Sequence, residues 1–180
     1  MTKLSVLFAL FAIACGSSVS TVPGTNVPYS QANESALKVC EEYRMAVERG
    51  DADALMLMAH PQYWEDSGTP SGGDDYGYEG LRNVLTTRLQ KASDIRYSVR
   101  YVAVHQSCKD LQNGCKAAVD ILIDASFTVT SALGQPRRPD KRDQNQLVLE
   151  WTCGTPQAAG GGAGGKSDGG RCRWLFLSGM

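Results

Sequence analysis

Hydrophobic residues recur at helical spacing in the first half of the chain and alternate with polar residues in the second half. Ala36, Cys40, Tyr43 and Val47 lie three or four positions apart, which is the period of an amphipathic helix. From residue 97 onward the pattern changes to alternation, which is clearest over residues 117–131. Alternation of this kind is typical of antiparallel strands with one buried face. Helices first and strands later predict an α+β domain.

Capping residues and a glycine divide the first half into predicted helices. Asn33 is a good N-cap for the first helix, and Gly50 ends that helix. Asp51 can cap the next one. The three further elements predicted before the strands are a second helix, a short strand and a third helix, over residues 52–58, 62–66 and 81–89.

The second half contains four predicted long strands joined by short links, which indicates an antiparallel meander. They cover residues 97–106, 117–131, 144–153 and 171–178. In the first strand, alternation places Tyr97, Val99, Tyr101 and Ala103 on one face. The buried face predicted for the second strand consists of Val119, Ile121, Ile123, Ala125, Phe127 and Val129.

The N-terminus has the pattern of a bacterial export signal. Lys3 precedes an apolar run over residues 4–14, which is shorter than the ~20 residues that span a bilayer and has the length of a signal-peptide core. The run ends in Ala12-Ile13-Ala14-Cys15, which resembles a lipobox except that leucine is usual where Ala12 stands. The alternative is an ordinary cleaved secretion signal. The lipobox interpretation predicts a signal peptide over residues 1–14 and acylation of Cys15.

Acylation of Cys15 predicts a protein of the bacterial cell envelope that is attached to the membrane through its N-terminal lipid. We expect palmitate among the acyl chains of this lipid and the domain in the periplasm. Gly16 follows the cysteine, where the signal for retention at the inner membrane is aspartate, so we expect the outer membrane. Serine, threonine, glycine and proline dominate the next residues. We therefore predict a flexible tether over residues 15–31 and one globular domain over residues 32–180.

The remaining cysteines predict two disulfides in an oxidising compartment. The chain has six cysteines, and lipid on Cys15 leaves an odd number. Cys108 and Cys115 bracket one turn-rich loop, and Cys153 and Cys172 bracket a glycine-rich one. We expect each pair to form a bridge, and Cys40 to stay reduced on the apolar face of the first helix.

The stretch from Tyr43 to Leu55 (YRMAVERGDADAL) resembles the end of the first helix in the nuclear transport factor 2-like superfamily, SnoaL-like in the broad sense. Tyr63-Trp64-Glu65-Asp66 and Tyr78-Glu79-Gly80-Leu81-Arg82 also fall where this superfamily has a first strand and a third helix. The resemblance covers about four-fifths of the chain. It implies a cone, in which a curved antiparallel sheet packs on three N-terminal helices around a pocket.

The same resemblance implies a candidate catalytic pair. Ketosteroid isomerase-like members use a tyrosine of the first helix as an oxyanion donor and an aspartate after the first strand as a base. Tyr43 and Asp66 fall at or near those positions, whereas the late-strand acid has no secure match in Asp143-Gln144-Asn145-Gln146. The alternative is that Tyr43 is a core aromatic residue and Asp66 a loop carboxylate.

Other motifs predict no cofactor, metal or nucleic acid. Residues 160–167 match a phosphate-binding loop, but no helix follows to complete it. His60 and His105 belong to no metal-binding pattern, and the Asp74-Asp75 pair lacks the spacing of a calcium loop. The segment 137–143 is interpreted as a charged hairpin loop that could touch lipid headgroups or a partner. With a net charge of −1, the chain has no overall positive potential that would attract nucleic acid.

The leading hypothesis is therefore a non-enzymatic envelope lipoprotein whose domain binds a small apolar ligand or an envelope protein, with a homodimer as one possible assembly. The first alternative is an isomerase or lyase that uses Asp66 and Tyr43. The second is a structural subunit of an envelope assembly. An open cavity would favour binding, and a cavity filled by side chains would favour assembly.

Overall fold

The computed structural model describes residues 20–67, 70–130, 135–154 and 172–180. The predicted signal peptide, Cys15 and the glycine-rich motif at 160–167 lie outside these residues. Three helices occupy the first half of the chain: α1 (Gln31–Arg49), α2 (Ala52–Met58) and α3 (Tyr78–Gln90). No helix in the described part of the chain is long and apolar enough to cross a membrane.

Two antiparallel sheets accompany the helices. A small one pairs β1 (Trp64–Glu65) with β2 (Tyr76–Gly77). The strands of the main sheet are β3 (Ala92–Gln106), β4 (Cys115–Thr130), β5 (Pro136–Arg137), β6 (Asp140–Cys153) and β7 (Cys172–Ser178). Their order is β3-β4-β6-β7, and β5 pairs with β4. The predicted α+β class is confirmed, with three helices on a curved antiparallel sheet that follows a meander.

The first helix begins before its predicted cap. Ser30 is the N-cap, and its Oγ accepts from the backbone N–H of Asn33 at 3.0 Å. The prediction that Asn33 caps the helix was wrong, because its amide is used in tertiary contacts with Pro28 and Gln106. The other end agrees with the sequence, since Gly50 adopts the left-handed conformation with φ of 65°.

The N-terminal residues 20–29 are folded, which differs from the predicted flexible tether over 15–31. The Tyr29 N–H donates to the Ser20 carbonyl at 2.8 Å, and the Val22 N–H donates to the Val27 carbonyl at 2.9 Å. Val22 and Val27 are buried in the core. The physical reason is that these two valines flank a short turn and can cover apolar surface, although serine, threonine and glycine surround them.

An irregularity in β3 changes which residues face the core. Tyr101 lies opposite Ile121, and Val104 lies opposite Val119, so an extra residue is inserted between these two pairs. Ala103 lies opposite Asp120, on the outer face, and its predicted place beside Tyr101 was wrong. Extra residues of this kind increase the local twist and bend a strand, which contributes to the curvature of the sheet.

Both predicted disulfides are present, and Cys40 is a buried free thiol. The Cα atoms are 5.9 Å apart in Cys108–Cys115 and 4.0 Å apart in Cys153–Cys172. All four bridged cysteines lie at one end of the main sheet, which we call the disulfide end. At the opposite end, which we call the open end, β3 begins beside Val129 of β4.

Candidate functional site

The inner face of β4 divides into a core half and a cavity half. Val119 and Ile121 are buried at 0% and 1% relative exposure in the core. Ile123 and the alternate residues beyond it toward the open end instead line a cavity of about 750 Å³. The predicted apolar face of this strand is therefore confirmed, but only its first half is covered by other side chains.

The rest of the cavity wall comes from both helices and strands. Val47 of α1 and Leu89 of α3 contribute on one side, and Met180 contributes from the end of the chain. The apolar lining residues are Val47, Leu89, Ala92, Ile95, Ile123, Ala125, Phe127, Val129 and Met180. A largely apolar concave site of this volume is typical of small-molecule binding.

Two tyrosines provide hydroxyl groups in this cavity. Tyr43 of α1 and Tyr97 of β3 both line it, and their rings meet edge to face with centroids 6.1 Å apart. Burial raises the pKa of both phenols. Both groups are therefore neutral at physiological pH and can donate or accept hydrogen bonds.

Charged residues line the cavity toward the open end. Arg88 and Lys91 come from the last turn of α3 and the residue after it, and Lys141 and Asp143 come from β6. The Lys141 ammonium lies 3.3 Å from the Asp143 carboxylate. The side chains of Lys141 and Asp143 are 67% and 51% exposed, so this charged group forms a rim rather than an interior.

The structure does not bring Tyr43 and Asp66 to one cavity. Tyr43 lines it, whereas Asp66 is exposed after β1 and is not among the lining residues. The neighbouring Glu65 is held by partners outside this cavity lining. Its Oε2 accepts from the Tyr63 hydroxyl at 2.6 Å and from the Gly179 N–H at 2.7 Å. These bonds tie β1 to the C-terminal residues and leave Asp66 on the surface.

The other candidate residues have structural partners. His60 accepts from the Gln62 N–H through Nδ1 at 3.0 Å. His105 lies 2.9 Å from Asp120 on the outer face of the sheet. Asp75 accepts from the Ser67 N–H in an exposed loop. Within the residues that the structure describes, no three His, Cys, Asp or Glu side chains come close enough to hold a metal ion.

Sequence reasoning missed Tyr97 and Lys141 as site residues, and left Asp143 without a secure role. The charged segment 137–143 was interpreted as a hairpin loop, but β6 already begins at Asp140. Lys141 lies opposite Ala125, and Asp143 lies opposite Ile123, which turns both toward the cavity. A strand pattern over residues 140–146 would have been the available signal, but every residue there is polar. The sequence therefore does not show which of these side chains face the inside.

A second groove lies on the other side of α1. It has a volume of about 830 Å³ between the N-terminal turn, α1 and the edge strand β3. Lys38, Glu34, Glu41 and Arg100 are among its lining residues, so its walls carry charges of both signs. The described features therefore favour the cavity behind Tyr43 as the binding site.

Comparisons with known proteins place this geometry in a recognised fold. No protein-family model and no curated protein sequence matches the chain. A ketosteroid isomerase-like protein from Erwinia carotovora atroseptica aligns at 17% identity over 83% of this chain and 94% of its own, with a TM-score of 0.55. A conserved protein from Planctomyces limnophilus aligns at 12% identity over 83% and 94%, with a TM-score of 0.56.

A proposed dehydratase of the nuclear transport factor 2-like family from Streptomyces avermitilis is also similar. It shares 12% identity over 82% of this chain and 92% of its own, with a TM-score of 0.53. At these identities the likeness concerns the fold alone. The chain therefore has the fold of the nuclear transport factor 2-like proteins.

Proposed function

We propose that this protein is a lipid-anchored envelope protein whose domain binds one small, mainly apolar ligand in the cavity behind Tyr43. The observation that carries the proposal is the open cavity of about 750 Å³. Nine apolar side chains line it, and two neutral phenols offer hydrogen bonds. This combination of apolar wall and a few polar groups suits a ligand that is mostly hydrocarbon.

Cys15 and the preceding apolar run support the membrane anchor. The first described residue, Ser20, bonds to Tyr29, and the nearby Asn33 accepts from Gln106 at the end of β3. The anchored cysteine would thus be five residues, at most about 18 Å, from Ser20, on the side of the domain where β3 ends. The cavity lies toward the open end, so this arrangement would direct its mouth away from the membrane.

The second candidate function is an isomerase or lyase, as the names of some structural neighbours suggest. The observation that favours it is that Asp143 and Tyr43 line the same cavity. A carboxylate could accept a proton from a carbon beside a carbonyl group, and the phenol could stabilise the enolate. Asp143→Asn should abolish such turnover while the variant still binds the ligand. A loss of turnover no larger than the loss of binding would contradict a catalytic role for Asp143.

A protein partner or a homodimer remains a prediction. Sedimentation of the purified mature protein would give the subunit count. The idea of a purely structural subunit gains no support from the cavity, because side chains leave it open.

The anchor is tested by the intact mass of the protein from the membrane fraction. We expect a chain that begins at Cys15 and carries a lipid increment, and Cys15→Ser should leave the protein unlipidated and release it from the membrane. A mature chain that begins at another residue without a mass increment would contradict the anchor.

Ligand binding is tested by filling the cavity. Ala125 lines it and is 8% exposed, so Ala125→Trp should occupy the space and abolish retention of a small molecule in native mass spectrometry. Ala118→Trp is the matched control, because Ala118 lies on the same strand with its side chain on the opposite face from Val119. If both variants retain the adduct equally, the ligand does not bind in this cavity.

A further inference from the structure

The charged residues that line the cavity are mostly cations. Among the described side chains that line it, Arg88, Lys91 and Lys141 outnumber the one acidic side chain, Asp143. The chain as a whole has 18 basic and 19 acidic residues, so this local excess of positive charge is not a property of the composition. Lys141 pairs with Asp143, whereas Arg88 and Lys91 form no ion pair within the described residues. Two cations are thus free to attract an anion.

The cations come from two separate elements on either side of the cavity. Arg88 and Lys91 lie at the end of α3, where the helix dipole favours a positive charge. Lys141 is on β6, opposite Ala125 of β4. The preference for positive charge at the end of a helix therefore partly explains why Arg88 and Lys91 lie there, but it does not explain Lys141.

Toward its inner part, the described lining of the cavity is mainly apolar, with Asn145 and the two phenols as polar groups. Burial raises the pKa of the Tyr43 and Tyr97 phenols, so they stay neutral, and the negative charge of Asp143 further raises the pKa of Tyr97. An anion placed there would lose its hydration without gaining an opposite charge, which is unfavourable. An apolar group loses nothing there, and an anion at the rim stays partly hydrated next to the cations.

We infer that the ligand is an amphipathic anion, with its apolar body against Val47 and Ile123 and a carboxylate-type headgroup at Arg88, Lys91 and Lys141. This inference rests on the proposed function and specifies the ligand class for that site. A free long-chain acid and an anionic lipid both have this chemistry. The site recognises only the features that they share, a hydrocarbon body and one negatively charged headgroup.

The test compares a fluorescent polyunsaturated fatty acid, cis-parinaric acid, with its neutral methyl ester. We expect the acid to bind the mature protein about tenfold more tightly than the ester, as a few solvent-exposed ion pairs would give. The variant Arg88→Gln/Lys91→Gln/Lys141→Gln should lose this preference and keep its affinity for the ester. The control Lys109→Gln/Lys116→Gln/Arg173→Gln removes the same charge at the disulfide end and should keep the preference.

The outcomes separate this inference from the proposed function. Equal binding of acid and ester, unaffected by the rim substitutions, would overturn the anionic ligand and leave apolar binding intact. If neither probe binds, the proposed function itself fails. Adding vesicles with and without phosphatidylglycerol distinguishes the sources, because an anionic lipid ligand would be extracted only from the former and would displace the acid.

Discussion

The rings of Tyr43 and Tyr97 meet edge to face at 88° to one another, with centroids 6.1 Å apart. This pair joins α1 to β3 where the buried core gives way to the cavity. On the other side of Tyr43, the ring of Phe176 lies 5.3 Å away. Tyr43 is thus both a core aromatic residue and a wall of the cavity.

The buried phenols predict a pH dependence of stability. Burial raises the pKa of Tyr43 and Tyr97 in the folded protein, while the unfolded value is about 10. Their contribution is therefore complete below about pH 10 and is lost as the pH rises above it, because the unfolded chain releases its phenolic protons first. Urea unfolding at pH 9 and pH 11 should show lower stability at pH 11. Tyr43→Phe should reduce this loss, and an unchanged loss would contradict the prediction.

Removing the hydroxyl of Ser35 should destabilise the domain. The Trp174 indole N–H donates to Ser35 Oγ at 2.9 Å, and Trp174 is only 2% exposed. Ser35→Ala leaves this buried donor without its partner, which costs about 1–3 kcal/mol. Thermal unfolding measures the change. Ser98→Ala on the exposed outer face is the control and should stay within about 0.5 kcal/mol of the unchanged protein.

Gly179 should not tolerate a side chain. Its φ is 90°, and a Cβ atom there would overlap the carbonyl oxygen of Gln146. Gly114→Ala is the matched control, because its φ is 83° and no heavy atom lies within 4 Å of the added Cβ. Both substitutions carry the cost of a positive φ, about 1 kcal/mol, and only Gly179→Ala adds the clash. Equal unfolding free energies for the two variants would refute the steric argument.

Thiol chemistry checks both the bridges and the anchor. Burial raises the pKa of the Cys40 thiol, so we expect no alkylation by iodoacetamide at pH 8 in the folded, non-reduced protein. In urea without reductant, one thiol should be labelled, at Cys40. Labelling of Cys15 as well would show that this cysteine carries no lipid, and a mapped bridge that includes Cys40 would refute the disulfide assignment.

Opening the Cys153–Cys172 bridge should lower stability more than any exposed substitution. The bridge joins residues 19 positions apart, and closing such a loop contributes about 2–4 kcal/mol in the chain-entropy model. Cys153→Ser/Cys172→Ser should therefore unfold at a lower urea concentration than the unchanged protein. No shift in the midpoint would contradict this estimate.

Local patterns predicted the elements well because they are set within a few residues of the chain. Asp51 caps α2 as expected, with its carboxylate accepting from the Ala54 N–H at 3.0 Å. The alternation in β4 identified its inner face correctly. The error at Asn33 has a tertiary cause, since the distant Gln106 uses the side chain that was expected to cap the helix.

The candidate site was harder to predict because it depends on how strands are registered. Lys141 and Asp143 face the cavity only because β6 pairs with β4 so that they lie opposite Ala125 and Ile123. A run of polar residues contains no information on that register. Similarly, the extra residue between Tyr101 and Val104 reverses the face of Ala103, and alternation alone does not reveal it.

The central claim, that a small ligand binds in the cavity behind Tyr43, is tested most directly by methyl NMR during titration with cis-parinaric acid. The account predicts saturable shifts of the Ile95, Ile123 and Val129 methyl groups, which line the cavity. Val102 on the outer face and Val22 at the second groove should not move. Shifts confined to Val102 or Val22, with the three cavity residues unchanged, would contradict the account.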